Sequence, residues 1–152
     1  KRGSLMKQKR GLSHKFVEFI PDELKDSVLY VSINYATVAH KCCCGCGNEV
    51  ITPISPTDWK LLFDGETISL YPSIGNWSFP CQSHYWITQN EIKWALSWSE
   101  EEITNGRRHD KLTKEIYRKT GQAPSFFIDD MNLQTETPVK EGFWHKLKKL
   151  LS

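Results

Sequence analysis

His40-Lys41-Cys42-Cys43-Cys44-Gly45-Cys46-Gly47, answered by Pro80-Cys81-Gln82-Ser83-His84, gathers all five cysteines and two of the five histidines of the chain into two short runs. Thiolate and imidazole are the ligands that hold zinc in a tetrahedral site, with four brought together by folding. Zn2+ is therefore the cofactor expected, with Cys42, Cys44, Cys46, Cys81 and His84 as candidates for its four places. The two runs must then be neighbours in space, which makes them the first constraint on the fold.

Spacing narrows the choice. If residues 40–46 run extended, His40, Cys42, Cys44 and Cys46 project from one face and Cys43 from the other, so Cys43 is the expected bystander. At roughly 3.3 Å per residue, His40 and Cys46 would stand about 20 Å apart in a straight strand, whereas ligands of one zinc lie within about 4 Å of each other. The strand must bend, or His40 must stay out. Gly45 and Gly47 permit a tight turn around Cys46. The favoured set is Cys44, Cys46, Cys81 and His84, with Cys42 as the rival for one place.

Other uses of the cysteines fit less well. An odd count, three consecutive cysteines and the lack of an apolar signal stretch in the opening residues argue against a secreted disulfide framework. Inert core cysteines seldom interleave with glycine and face a distant Cys-x-x-His. A Rieske-like iron–sulfur centre takes two Cys and two His from two loops, but the first run holds more sulfur than that scheme needs and reads His-x-Cys.

The chain has 152 residues, 39% hydrophobic and 25% charged, with a net charge of +2. It is long enough to bury a core that zinc would staple but not replace. Its basic residues are dispersed except at the ends, which gives nucleic-acid binding little support. Reduced, metal-binding thiols and the absence of an apolar run near the roughly twenty residues of a membrane span lead to an expected cytoplasmic location.

Residues 1–13 read as a disordered basic N-terminus or a cloning remnant. Lys15-Phe-Val-Glu-Phe-Ile20 and Val28-Leu-Tyr-Val-Ser-Ile33 read as strands, the second leading towards the first cysteine run. Trp59-Lys-Leu-Leu-Phe, Asp64-Gly65 and Thr67-Ile-Ser-Leu-Tyr form a hairpin signal. Residues 72–80, dense in turn formers, read as a loop entering the second run. Tyr85-Trp-Ile and Ile92-Lys-Trp94 flank Gln89-Asn90 as a closing hairpin. The expected fold is mainly β (α+β), a small antiparallel β core with a two-loop zinc site followed by C-terminal helices. Residues 14–98 form the zinc-binding β domain in this reading.

Beyond it, Ser99 and Glu102 make a capping-box signature for a helical segment over residues 99–121, with Gly106 a point of interruption. Residues 122–137 read as a linker. Residues 138–151 read as an amphipathic helix with Phe143, Trp144, Leu147, Leu150 and Leu151 on one side and lysines on the other. That face suits docking on its own domain, a partner's groove or an anionic membrane surface.

The runs over residues 35–47 and 53–59, Ser69-Leu-Tyr-Pro-Ser-Ile-Gly-Asn-Trp77 and Pro80-Cys-Gln-Ser-His-Tyr-Trp86 resemble a bacterial cysteine-rich metal-binding family. Its genes tend to lie beside those for ubiquitin-like proteins and their activating and conjugating enzymes. The resemblance spans about residues 15–96, and the position of Cys43 is variable in the family pattern. It implies metal binding, partnership with a ubiquitin-like protein or its conjugating enzymes, a role as the peptidase that processes or deconjugates the modifier, and a setting in phage defence.

A zinc closed by three thiolates and an imidazole has no open position, so peptide cleavage needs a separate nucleophile. His40 with Cys42 is one arrangement. Ser73 or Ser83 near a histidine, with Asn76 or main-chain amides at the oxyanion, is another. A zinc with an open position and Glu49, Asp58 or Asp64 as base is a third. The candidate catalytic residues are thus His40, Ser73, Asn76 and Ser83. Set against the peptidase is a non-catalytic zinc module that binds the modifier or a pathway enzyme.

Overall fold

The computed structural model describes residues 10–125. Eight strands and one helix follow in order: β1 (Ser13–Phe16), β2 (Val28–Ser32), β3 (Thr37–Lys41), β4 (Glu49–Pro53), β5 (Lys60–Phe63), β6 (Ile68–Gly75), β7 (His84–Thr88), β8 (Glu91–Trp94) and α1 (Glu100–Thr120). They form two four-stranded sheets, β1-β2-β3-β4 and β5-β6-β7-β8. All pairings are antiparallel except β1 with β2, which is parallel. The fold is mainly β, as expected.

Period-2 patterning selects the buried faces. Leu29, Val31, Val38 and Val50 from the first sheet meet Ile68, Leu70, Ile74, Tyr85 and Ile87 from the second in one core cluster. Each fully buried aliphatic side chain of this kind stabilises the fold by about 1.5–3 kcal/mol relative to exposure. β7 and β8 join through Gln89 and Asn90, both with positive φ (50° and 62°), the geometry of a two-residue hairpin turn. Asp64 holds the other hairpin: its carboxylate accepts from Glu66 N at 2.9 Å, Thr67 N at 2.6 Å and Thr67 Oγ1 at 2.6 Å. These bonds keep its pKa down, at about 2.

Residues 72–75 depart from the loop expected there, because they continue β6. Leu70 pairs with Ile87 and Ile74 with Tyr85, so Tyr71, Pro72 and Ser73 stand against the single Trp86. Such a bulge tolerates proline and re-aims the neighbouring side chain.

α1 is one uninterrupted helix. Ser99 Oγ accepts from Glu102 N at 3.2 Å, Glu102 returns a bond to Ser99 N at 2.7 Å, and Gly121 ends the helix at φ 73°. Gly106 does not break it. A Cβ there would lie 3.0 Å from the Trp98 ring, so glycine permits the close approach of helix to indole. Ile103 and Thr113 are the buried positions of α1, and Lys114 pairs with Asp58 at 2.9 Å to tie the helix to the segment before β5. No helix among the described residues is long and apolar enough to cross a membrane. The amphipathic segment 138–151 lies outside the described residues.

Candidate active site and metal centre

The first cysteine run begins where β3 ends. Cys42 N donates to Asn48 O at 2.8 Å, and Gly45 and Gly47, at φ 88° and 85°, turn the chain back between them. Only glycine adopts that conformation without cost. The turn collects Cys42, Cys44 and Cys46, and Cys81 meets them from the second run, so that the four sulfurs lie within 4.8 Å of one another. Cys42 is 3.4 Å from Cys44 and 3.9 Å from Cys81, and Cys46 is 3.8 Å from Cys81. A tetrahedron with metal–sulfur bonds of about 2.3 Å has edges of about 3.8 Å. The four cysteines are therefore placed to hold one metal ion. Cys43 is buried in the core and is not among them.

Main-chain and amide donors favour thiolate at one position of this turn, Cys46. Burial acts to raise the Cys46 pKa, but hydrogen bonds from the Asn48 main chain and side chain and from neighbouring thiols outweigh it and bring it to about 7. Cys42 and Cys44 are pushed up, chiefly by burial. A divalent cation at the centre would offset that burial, since it binds the deprotonated form.

The ligand set differs from the favoured one in a single place. Cys42 stands where His84 was expected, and among the described residues no histidine joins the sulfurs. The reason is strand parity: Ser83 Oγ lies 3.1 Å from Cys42 Sγ, which turns the next residue, His84, to the opposite face. A thiol nucleophile at Cys42 loses its basis, because that sulfur belongs to the cluster and His40 Nε2 lies 2.9 Å from Tyr85 OH.

Asn76 and Ser83 are drawn into the same buried network. Asn76 Nδ2 donates to Ser83 Oγ at 2.9 Å, with Tyr85 OH at 3.4 Å and Cys42 Sγ at 3.6 Å. Both contact the Cys42 sulfur, and Asn76 also borders the cavity that Ser73 lines. Burial drives the Tyr85 phenol pKa strongly upward, so it stays neutral in this network. Of the three carboxylates considered as bases, Asp58 is engaged by Lys114 and by Ser55 Oγ at 2.6 Å, Asp64 by its turn, and Glu49 stands on the exposed face of β4.

On the face opposite the thiols, Ser73 Oγ lies 2.9 Å from His84 Nε2, and His84 Nδ1 lies 3.0 Å from the carbonyl oxygen of Leu96. A carbonyl only accepts, so Nδ1 carries a proton, and in the neutral imidazole Nε2 then presents its lone pair to the serine hydroxyl. This is the tautomer a general base requires. The β6 bulge delivers Ser73 to this position, and the pairing of Gly75 with His84 sets the histidine beside it.

Three indoles enclose the imidazole. Its ring centroid is 4.9 Å from that of Trp77, 5.0 Å from Trp98 and 5.7 Å from Trp86, and Trp77 stacks on Trp98 at 5.3 Å. His84 is buried beneath them, while Ser73 opens into a cavity of about 560 Å³ between β4, β6 and α1. The indoles thus shield the imidazole ring, while Ser73 borders the cavity. Neither the Leu96 carbonyl nor Trp98 stood out in the sequence. A main-chain acceptor has no letter of its own, and Trp98 falls between two elements where no periodicity marks it.

No curated protein and no solved structure matches the chain. A family model does, over residues 16–95, described as "Bacterial ubiquitination-like system serine protease (BubE)". That match covers more than half of the 152 residues and includes both cysteine runs, the β6 bulge and Ser73 with His84, and the chain belongs to the BubE family of bacterial ubiquitination-like systems.

Proposed function

We propose that this protein is a serine peptidase acting on the C-terminal bond of a ubiquitin-like modifier, in a precursor or in a conjugate, with Ser73 as nucleophile and His84 as general base. The observation that carries the reading is the Ser73–His84–Leu96 alignment, in which a main-chain carbonyl fixes the basic nitrogen on the serine. The family's description as a serine protease supports it independently.

In this mechanism Ser73 Oγ attacks the scissile carbonyl as its proton passes to His84 Nε2. The imidazolium is held by the Leu96 carbonyl and gives its proton to the departing amine, leaving the acyl group on Ser73. Water, deprotonated by Nε2, then attacks that ester and releases the carboxylate and free serine. The Leu96 carbonyl carries no formal charge, so it orients the ring and supports the imidazolium less than a carboxylate would.

Zinc is the metal we assign to Cys42, Cys44, Cys46 and Cys81, because four thiolates at tetrahedral spacing suit it best. A tetrathiolate site is closed, so its contribution is structural: it clamps residues 76–83 to the first run and sets where His84 begins β7. A zinc module without catalysis accounts for the thiols but gives the serine–histidine contact no role. The modifier and the enzymes that conjugate it are the partners this reading implies, and reduced thiols fit a cytoplasmic setting. Incubation of the purified protein with the system's own modifier, fused to a C-terminal reporter, tests the assignment: release of the reporter by wild-type protein and none by Ser73→Ala is expected, and equal release by both would overturn it.

A further inference from the structure

Cys42 N donates to Asn48 O at 2.8 Å and Ile54 N to Ala36 O at 2.7 Å, which fixes the hydrogen-bond parity of the β3–β4 ladder at both ends. In an antiparallel pair, bonding residues alternate along the strand. Residues 48, 50, 52 and 54 therefore turn their main chain towards β3, while Glu49, Ile51 and Pro53 turn theirs outward. Pro53 has no N–H, and its carbonyl accepts from Trp59 N at 3.1 Å. The outward N–H and C=O of Glu49 and Ile51 have no main-chain partner among the described residues.

β4 is the edge strand of its sheet. On the other side, β5 pairs with β6 only as far as Tyr71, so among the described residues β7 is the one strand neighbour of residues 72–75. Residues 49–52 of β4 and Ser73 of β6 border the same cavity. An open ladder edge and the serine of the proposed site thus face one space.

We propose that β4 is the docking strand for substrate: an extended C-terminal segment of the ubiquitin-like modifier adds to its outer edge and runs past Ser73. This deepens the peptidase reading and rests on it for the identity of the ligand. Outward groups on alternate residues, roughly 6.6–6.8 Å apart, match the repeat of an extended chain and not that of a helix. Main-chain bonds to Glu49 and Ile51 supply affinity without demanding a particular side chain, and they fix the depth at which a carbonyl reaches Ser73.

The test uses the full chain carrying Ser73→Ala, to prevent turnover, and the system's ubiquitin-like protein with its native C-terminus as probe. Adding Ile51→Pro removes one outward N–H without breaking a bond to β3, and Ile51→Ala is the control that keeps it. At least a tenfold rise in Kd is expected with Ile51→Pro and less than threefold with Ile51→Ala. In the complex with Ser73→Ala alone, hydrogen exchange at the Glu49 and Ile51 amides slows at least tenfold. Absence of a complex, equal Kd in all three proteins, or no protection at these amides overturns the proposal. Exchange protection decides the matter if Ile51→Pro does not fold. Labelling of wild-type Ser73 by a fluorophosphonate, which needs no docking strand, shows separately whether the serine reading stands.

Discussion

His84 Nε2 lies 2.9 Å from Ser73 Oγ, although the two residues come from different strands and Ser73 sits in a bulge that re-aims β6. The contact requires two coincidences of main-chain geometry, the three-against-one bulge at Trp86 and the Leu96 carbonyl at 3.0 Å from Nδ1. A serine placed only to satisfy a turn needs neither.

Gly75 is where the indole roof meets the sheet. A Cβ there would lie 2.4 Å from Trp77 Nε1, closer than nonbonded atoms approach. Gly75→Ala must displace Trp77 from His84, so a fall in kcat/KM of about 10²-fold is expected from misplacement alone. Overpacking lowers stability by about 1–3 kcal/mol. Gly106→Ala meets Trp98 at 3.0 Å and is expected to do less. Steady-state kinetics and thermal unfolding of both variants check the order.

The thiol cluster is expected to carry one zinc per chain. Structural zinc contributes on the order of 10 kcal/mol, comparable with the whole stability of a domain. Cys81→Ala or prolonged chelation should therefore unfold the protein, whereas Cys43→Ala should keep the metal. Elemental analysis with circular dichroism distinguishes these outcomes.

Asn76 and Ser83 both contact the Cys42 sulfur. Ser83→Ala leaves the Asn76 amide and the Cys42 sulfur short of a buried partner, which costs about 1–3 kcal/mol. Metal affinity is expected to fall about 10–100-fold, as when other outer partners of ligands are removed. Competition with a chromophoric chelator measures it.

Asp64 ties the β5–β6 turn with a carboxylate whose pKa is about 2, below its ordinary value. A depressed folded pKa contributes stability that is present above the unfolded value of about 3.9 and lost as pH falls towards 2. Asp64→Asn should flatten the acid limb of the stability profile in that window. Urea unfolding at a series of pH values tests this.

Much of this could be read from the letters, and the remainder for physical reasons could not. The Asp64-Gly65 and Gln89-Asn90 turns announce their hairpins; Cys43 stands apart from the other thiols as expected, but β3 ends at Lys41 and a turn, not strand alternation, places it there. The choice between Cys42 and His84 depends on which face residue 83 takes, which is set by pairing with distant β6. Pro72, Gly75 and Asn76 carry the composition of a loop, yet a bulge accommodates Pro72 within β6 and Gly75 pairs with His84 at the end of that strand. Ser73 was legible as a candidate, but its partner depended on that bulge and on a backbone carbonyl.

The most direct test is intact-mass and peptide-level analysis after reaction with a fluorophosphonate. A single adduct on Ser73, absent in Ser73→Ala and strongly slowed in His84→Gln while both variants keep their zinc, is the predicted result. No adduct on the folded, zinc-loaded protein, or one on Ser83 in place of Ser73, would contradict the assignment of Ser73 and His84.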